Sequence, residues 1–387
     1  MNLYDTCIKA FIKGNLGDDL FIYTLCNKYP NTSFVLCGEK EYRNLFKNLY
    51  NLKYISTDSF FCKWLFRFIK LPAKLANAFL KIFHRNEKYS YYNCFDFVSR
   101  HSRYNILISG SIFMEMDNKK FSITPYYKNE IKYYLQSPYV IGCNFGPYHS
   151  EEYRRFYEEC FSKAGQVCFR DTYSYSLFKS IEQAGYAPDI LFNIEKNKFK
   201  LPKIKNYVLI SVLNPGKDDK NSENRLLDKY ISSVTELSNE LIEKGKNIVF
   251  LGFCKFQSDD KIIENIMEGI VSKAHVKSVN YPDISSNKAL GYVANSEFII
   301  ATRYHAMILG WLLEKPVLPV VYSEKMLHVI EDIAPDIEYI MANEPEKWDI
   351  KAIAEKIVNN KYEVCNVGDA VEKAKNHFVQ LNKIYNN

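Results

Sequence analysis

EFIIATRYHAMILGWLLEKPVLPVVYSEK, residues 297–325, reads as strand, polar turn, helix and strand. Phe298–Ala301 is a short apolar run, the pattern of a buried strand. Thr302, Arg303, Tyr304 and His305 follow it directly, and an apolar helical stretch comes next. Lys315-Pro316 ends that stretch before a second apolar run, Val317–Tyr322. Residues able to hold anions therefore fall where a strand ends and a helix begins. In parallel α/β folds ligands collect at that edge, because helix amino ends present unpaired N–H groups and partial positive charge. Arg303 can grip a carboxylate or phosphate through two parallel bonds, and His305 can move a proton near neutral pH.

Working outward from this unit, apolar β-rich runs alternate with helical patterns. Strands are expected at Cys7–Ile12, Ser33–Cys37, Asn105–Ile108, Tyr139–Cys143 and Val167–Phe169. A second set covers Tyr207–Val212, Asn247–Phe253, Val276–Val279, Phe298–Ala301, Val317–Val321 and Glu338–Met341. Helices are expected at Asp19–Lys28, Glu151–Ala164, Tyr173–Gln183, Arg225–Lys244 and Asp259–Ser272. Such alternation predicts an α/β protein whose mostly parallel sheets are covered by helices. The polar stretch Glu195–Asn206 reads as a linker, so the expectation is two Rossmann-like domains facing a cleft, residues 1–195 and 206–345. Helices over 346–387 either close the second domain or cross back to the first.

The 387 residues suffice for two domains, with 47% apolar and 25% charged residues as in a globular protein. The net charge of +6 suits anionic small molecules or an anionic membrane surface. No RGG tract, RNA-recognition signature or zinc-finger spacing points to nucleic acid. The ten cysteines are scattered singly without a CxxC pair, so no metal site is expected and the thiols read as reduced. The amino terminus lacks the layout of a signal peptide, and no uncharged stretch is long enough to span a bilayer. A cytoplasmic location is expected.

Residues 10–21, AFIKGNLGDDLF, take a strand into a turn and then a helix. Gly14 and Gly17 let the backbone turn sharply or approach a ligand. Asp18 or Asp19 is expected to cap the helix, or to orient or deprotonate a hydroxyl. The loop is neither a Walker A sequence nor GxGxxG.

Taken together, several segments resemble the polysaccharide pyruvyl transferase family. Gly14-Asn15-Leu16-Gly17-Asp18 matches its GNxGD loop, and Ile108-Ser109-Gly110-Ser111-Ile112-Phe113 its glycine-rich mid-domain turn, here reduced to one glycine. Val140–Pro147 matches a strand ending in Gly-Pro, Phe169-Arg170-Asp171 an R-[DE] pair, and Ala187-Pro188-Asp189 an A-P-D turn. Arg303-Tyr304-His305-Ala306 matches the R-x-H-A junction, with Tyr304 in place of the commoner leucine, and Lys325 the downstream lysine. The resemblance covers roughly residues 5 to 335 by the order of its motifs. It implies a glycosyltransferase-B-like pair of domains. It also implies transfer of the enolpyruvyl group of phosphoenolpyruvate to two hydroxyls of a saccharide, giving a cyclic pyruvate ketal and phosphate.

On this resemblance Arg170, Arg303, Tyr304, His305 and Lys325 would contact phosphoenolpyruvate, a donor substrate rather than a cofactor; no cofactor is implied. Such a donor carries about three negative charges and needs at least two cations, for which arginine forks are suited. His305 is the candidate acid, Asp18 the candidate base, and Lys325 a group to hold the departing phosphate. Gly14, Asn15, Gly17, Asp18 and His149 would face the acceptor, whether lipid-linked, nucleotide-bound or polymeric. Two other readings stay open: a glycosyltransferase using a nucleotide sugar, and a non-catalytic saccharide- or membrane-surface-binding protein.

One segment points elsewhere without the resemblance. In residues 60–83, FFCKWLFRFIKLPAKLANAFLKIF, Lys63, Arg67, Lys70 and Lys74 fall at helical spacing on one face, beside Trp64 and several phenylalanines. No acidic residue occurs from Ser59 to Asn86. This composition fits a helix lying on an anionic membrane surface, or a packed helix with a solvated basic face.

Overall fold

The computed structural model describes residues 3–56, 94–95, 97–115, 138–196, 199–216 and 223–386. The basic aromatic stretch, with Lys63, Trp64, Arg67, Lys70 and Lys74, lies outside the described residues. Among the described residues no helix is long and apolar enough to cross a membrane.

The first lobe is built on β1 (Tyr4–Lys9), β2 (Phe34–Gly38), β3 (Leu52–Ser56), β4 (Ser102–Ile108), β5 (Ser111–Phe113), β6 (Tyr139–Phe145), β7 (Gln166–Phe169) and β8 (Ala184–Tyr186). They pair in parallel in the order β3-β2-β1-β4-β6-β7-β8, with β5 added at the end of β6. Among the described residues its helices include α1 (Leu16–Lys28), α2 (Glu151–Phe161) and α3 (Thr172–Phe178).

The second lobe holds β9 (Tyr207–Ser211), β10 (Asn247–Gly252), β11 (Val276–Asn280), β12 (Phe298–Ala301), β13 (Val317–Val321) and β14 (Ile340–Met341). Their order, β11-β10-β9-β12-β13-β14, is that of a Rossmann sheet. Helices α4 (Glu223–Glu243), α5 (Asp259–Glu268), α6 (Ser286–Ala294), α7 (Tyr304–Leu312), α8 (Glu324–Ile333) and α9 (Ile350–Val358) belong here. Central strands β2, β9 and β13 are buried along their whole length. That is why their sequences are unbroken apolar runs: helices cover both faces of a parallel sheet.

The remaining helices, α10 (Gly368–Ala374) and α11 (Val379–Tyr385), cross back to the first lobe. Tyr385 Oη lies 2.6 Å from Thr6 Oγ1 on β1, and Tyr29 Oη donates to Asn382 Oδ1 at 2.8 Å. α9 instead packs its apolar face with residues of α4 in the second core. The carboxyl-terminal segment thus both closes the second lobe and straps the two together.

Three expectations are revised. β3, β5 and β8 are strands that local pattern does not reveal: β3 is partly exposed, and the other two are only three residues long. The helix expected over Tyr173–Gln183 stops at Phe178 and turns into β8. Pairing with β7 overrides the local preference of Glu182-Gln183-Ala184. Neither aspartate caps α1: Asn15 does, its side chain accepting the Gly17 N–H at 3.0 Å. Asn at that position closes the turn through its own side chain, which leaves Asp18 and Asp19 to point elsewhere.

The carboxyl edges of the two sheets face one another. The loop after β1 is pinned to the second lobe by the Leu16 N–H to Phe253 carbonyl bond (2.9 Å) and a bridge between Asn15 and Cys254. Asp19 is fully buried and accepts from Tyr281 Oη at 2.7 Å. On another side of the cleft the Asp332 carboxylate accepts from the Thr172 N–H at 2.8 Å, and Tyr173 stacks on His328 with ring centroids 4.3 Å apart.

Candidate active site

Arg170 ends β7 and is 2% exposed. One face of its guanidinium lies 4.2 Å from the centre of the Tyr304 ring, so this buried tyrosine supports the cation. Its Nη1 donates to Asp189 Oδ2 at 3.2 Å and lies 3.4 Å from His305 Nε2; its Nη2 donates to Asn144 Oδ1 at 2.8 Å and to Ser111 Oγ at 3.3 Å. Burial works against this charge. Tyr304, Asp189, Asp171 and Asp18 together outweigh it and raise the arginine's pKa. Arg170 belongs to the first lobe and Tyr304 and His305 to the second, so this cluster is a contact made only by the folded pair.

Arg303 starts α7. Its Nε donates to the Val212 carbonyl at 3.1 Å and to Asp259 Oδ2 at 3.0 Å, while Nη2 pairs with the other Asp259 oxygen and Nη1 with Gln257. Asp259 also accepts the N–H groups of Phe253 and Cys254. The carboxylate therefore fixes the guanidinium, the start of α7 and the end of β10 relative to one another.

His305, two residues on, is caught between the lobes. Phe21 of α1 meets its ring edge-on at 5.2 Å, and Gly17 lies beneath it. A Cβ at Gly17 would fall 1.8 Å from His305 Nδ1, which explains why the first-lobe loop carries glycine there. Gly110 is explained in the same way, since a Cβ there would fall 2.8 Å from Arg170 Nη1. Burial first, then the charges of Arg170, Lys325 and Arg303, hold the imidazole's pKa well below its usual value. The imidazole is therefore neutral at neutral pH.

Asp18 faces the same cluster. Burial pushes its carboxyl up to about 6, against Arg170, Lys325 and a hydrogen bond from the Gly110 backbone, which favour the charged form. Lys325, on the first turn of α8, comes within 3.4 Å of Ser111 Oγ in the opposite lobe. Arg170, Arg303, His305, Asp18 and Lys325 are thus brought together from four segments of both lobes. Gly14 (φ +61°) and Asn15 shape the loop behind Asp18. His149 is exposed on the loop before α2, where its backbone N–H donates to Glu115 rather than to the cluster.

Asp189, Asn144, Ser111, Asp259 and Tyr322 are further members of the site. Asp189 stood within the quoted A-P-D turn, but its role depends on β7 bringing Arg170 to it. Asn144 lay within the quoted Val140–Pro147 stretch and Asp259 at the start of an expected helix, but neither carries a local signal of the arginine it meets. Among the described residues no group of three or more His, Cys, Asp or Glu is placed to hold a metal ion.

Two Rossmann lobes facing one another across a cleft lined by Arg170, Arg303 and Lys325 define a GT-B-type frame. The solved structures agree. UDP-GlcNAc 2-epimerase from Neisseria meningitidis, bound to UDP-GlcNAc, superposes with a TM-score of 0.58 at 11% identity over 100% of both chains. The Methanocaldococcus jannaschii UDP-GlcNAc 2-epimerase gives 0.57 at 10% identity, covering 98% of this chain and 99% of that one. Anabaena HepE in complex with UDP-glucose gives 0.51 at 11% identity, covering 99% and 98%. At these identities the likeness establishes the GT-B fold. A search of curated proteins finds no significant match. The family model for polysaccharide pyruvyl transferase matches residues 7–324, and the chain belongs to that family.

Proposed function

We propose that the protein transfers the enolpyruvyl group of phosphoenolpyruvate to two hydroxyls of a saccharide, forming a cyclic pyruvate ketal during cell-surface polysaccharide synthesis. The observation that carries this reading is the convergence of Arg170, Arg303 and Lys325, from both lobes, around His305 and Asp18. A small donor with adjacent carboxylate and phosphate needs several cations within a few ångströms. His305 is the acid for the methylene carbon. Burial and the neighbouring cations disfavour its protonated form, and the negative charge of the donor would offset them. Asp18 is the base for the first acceptor hydroxyl.

The reading is tested by incubating the protein with phosphoenolpyruvate and a panel of sugars, lipid-linked ones included. Phosphate should be released, and a product should form that is heavier by one pyruvate less one water. The solved GT-B structures bound to UDP sugars favour a second reading, a nucleotide-sugar glycosyltransferase. Saturable binding of a UDP sugar with no phosphate release from phosphoenolpyruvate would select it.

Asp18 ties activity to pH. As a base it must be ionised, so turnover should rise through about pH 6, the value to which its carboxyl is pushed. Its raised pKa favours the fold while the carboxyl is protonated, and that stability is lost as pH climbs from the ordinary carboxylate range through about 6. Asp18→Asn should therefore lower turnover roughly 100-fold, remove the acidic limb of the rate profile and raise the melting temperature relative to wild type at pH 8. An unchanged acidic limb in the variant removes Asp18 as the base.

We further infer from the sequence of residues 60–83 that the protein works at an anionic membrane surface, where a lipid-linked acceptor would be met. Replacing Lys63, Arg67, Lys70 and Lys74 by Gln should abolish co-sedimentation with phosphatidylglycerol vesicles at low salt, since each basic group contributes about 1 kcal/mol near such a surface. Equal co-sedimentation of variant and wild type argues against docking through this segment.

A further inference from the structure

Tyr322 follows β13 directly, at the carboxyl edge of the second sheet. Its ring packs against both large apolar clusters of the protein, so the phenol is held in one place. Lys325 Nζ lies 5.1 Å from the centre of that ring. The same ammonium is 3.4 Å from Ser111 Oγ, which is itself 3.3 Å from Arg170 Nη2. The charges of three cations bear on the phenol: Lys325 of α8, Arg303 at the start of α7 and Arg170 just after β7. Asp259 backs Arg303, and Asp189 backs Arg170. α8 begins just beyond, with no side-chain cap, and the buried Ser323 Oγ has no hydrogen-bond partner. The α8 amino end beside Lys325 therefore retains donors suited to a phosphate.

Burial by itself would raise the phenol's pKa. Lys325, then Arg303 and Arg170, more than offset this and hold it below the usual tyrosine value. Such a phenol gives up its proton more readily than an ordinary tyrosine, and its phenolate would be matched by cations already in place.

Resting on the pyruvyl-transfer reading, we propose that Tyr322 is a further catalytic residue, the acid that protonates the departing phosphate. After C3 has gained its proton and the first sugar oxygen has bonded to C2, the phosphate remains attached through its ester oxygen. The second sugar oxygen then bonds to C2, and the C2–O ester bond breaks with its electron pair staying on the phosphate. Without a proton the phosphate would leave as a trianion. The Tyr322 O–H bond breaks, its proton goes to the ester oxygen, and hydrogen phosphate departs. The proton lost by the second sugar hydroxyl restores the phenol. Nothing is oxidised or reduced.

Tyr322→Phe keeps the ring and removes only the acid. Wild type and variant are compared in D2O with phosphoenolpyruvate and a panel of methyl hexopyranosides, following phosphate release and deuterium entry at C3 of recovered donor. Wild type should release phosphate. The variant should release it roughly 100-fold or more slowly, while deuterium still enters C3, because steps before departure remain reversible. Undiminished phosphate release overturns the proposal. So does equal loss of release and exchange, which marks a structural role. A wild type that releases no phosphate with any member of the panel overturns the pyruvyl-transfer reading itself, and the role of Tyr322 falls with it.

Discussion

Gly17→Ala should all but abolish turnover in a protein that remains folded. The added Cβ would lie 1.8 Å from His305 Nδ1 and 2.2 Å from Cγ, distances that no real pair of atoms tolerates. The imidazole has little room to retreat, since Phe21 lies on its edge and Arg170 at its Nε2. It must leave the cluster or push α1 back from the second lobe. Either movement misplaces a proton carrier by an ångström or more, and a shift of that size costs roughly 100-fold or more in rate. Glycine lies within the first turn of α1, where alanine is intrinsically favoured by about 1 kcal/mol, so the fold has a partly compensating gain. His305→Ala in the Gly17→Ala background should relieve the clash and recover melting temperature without recovering turnover. Wild-type rates for Gly17→Ala would show that the imidazole is not held where activity needs it.

Arg170→Ala should have the largest combined effect on stability and donor binding. Asp189 is fully buried, and Arg170 is its ion-pair partner. Removing one member of such a pair leaves an uncompensated buried charge and typically costs about 3–5 kcal/mol. The same change takes away the cation beside His305 and the donors to Asn144 and Ser111. Phosphoenolpyruvate affinity measured by calorimetry should fall by roughly 100-fold, the consequence of losing a charge-assisted fork of about 2–3 kcal/mol. Arg170→Lys, which retains the charge, should recover much of the stability but little of the affinity, because a lysine cannot present the planar fork. If Arg170→Ala binds phosphoenolpyruvate as tightly as wild type, the donor lies elsewhere in the cleft.

The two variants probe what was readable in the chain to different degrees. Arg170 and Gly17 both stood out within short motifs. That a glycine on one lobe makes room for a histidine about 290 residues later is visible only when the lobes are closed. Asp189 was legible as part of a turn, and its partner was not. Tyr322 looked like the last residue of an apolar strand, since an aromatic after Val320 and Val321 is an ordinary strand pattern. The cations that bear on it, Lys325 of α8 and Arg170 of the opposite lobe among them, are brought there only by the fold. Asp18 and Asp19 illustrate the same limit. Their spacing predicts a helix start, but Asn15 takes the cap, so one carboxyl turns to the cleft and the other to Tyr281.

The amino-acid sequence by itself determined the alternation of strands and helices, the two parallel-sheet lobes and the polar junctions that end β1, β7 and β12. Burial on both faces forces largely apolar strands, and charged residues cannot hide within their buried stretches. Tertiary structure alone decided which junctions meet, which carboxylates back the two arginines, and where the carboxyl-terminal helices strap the lobes. Those outcomes depend on electrostatics and packing between segments far apart in the chain. Local periodicity is set by residues a few positions apart and carries no record of them.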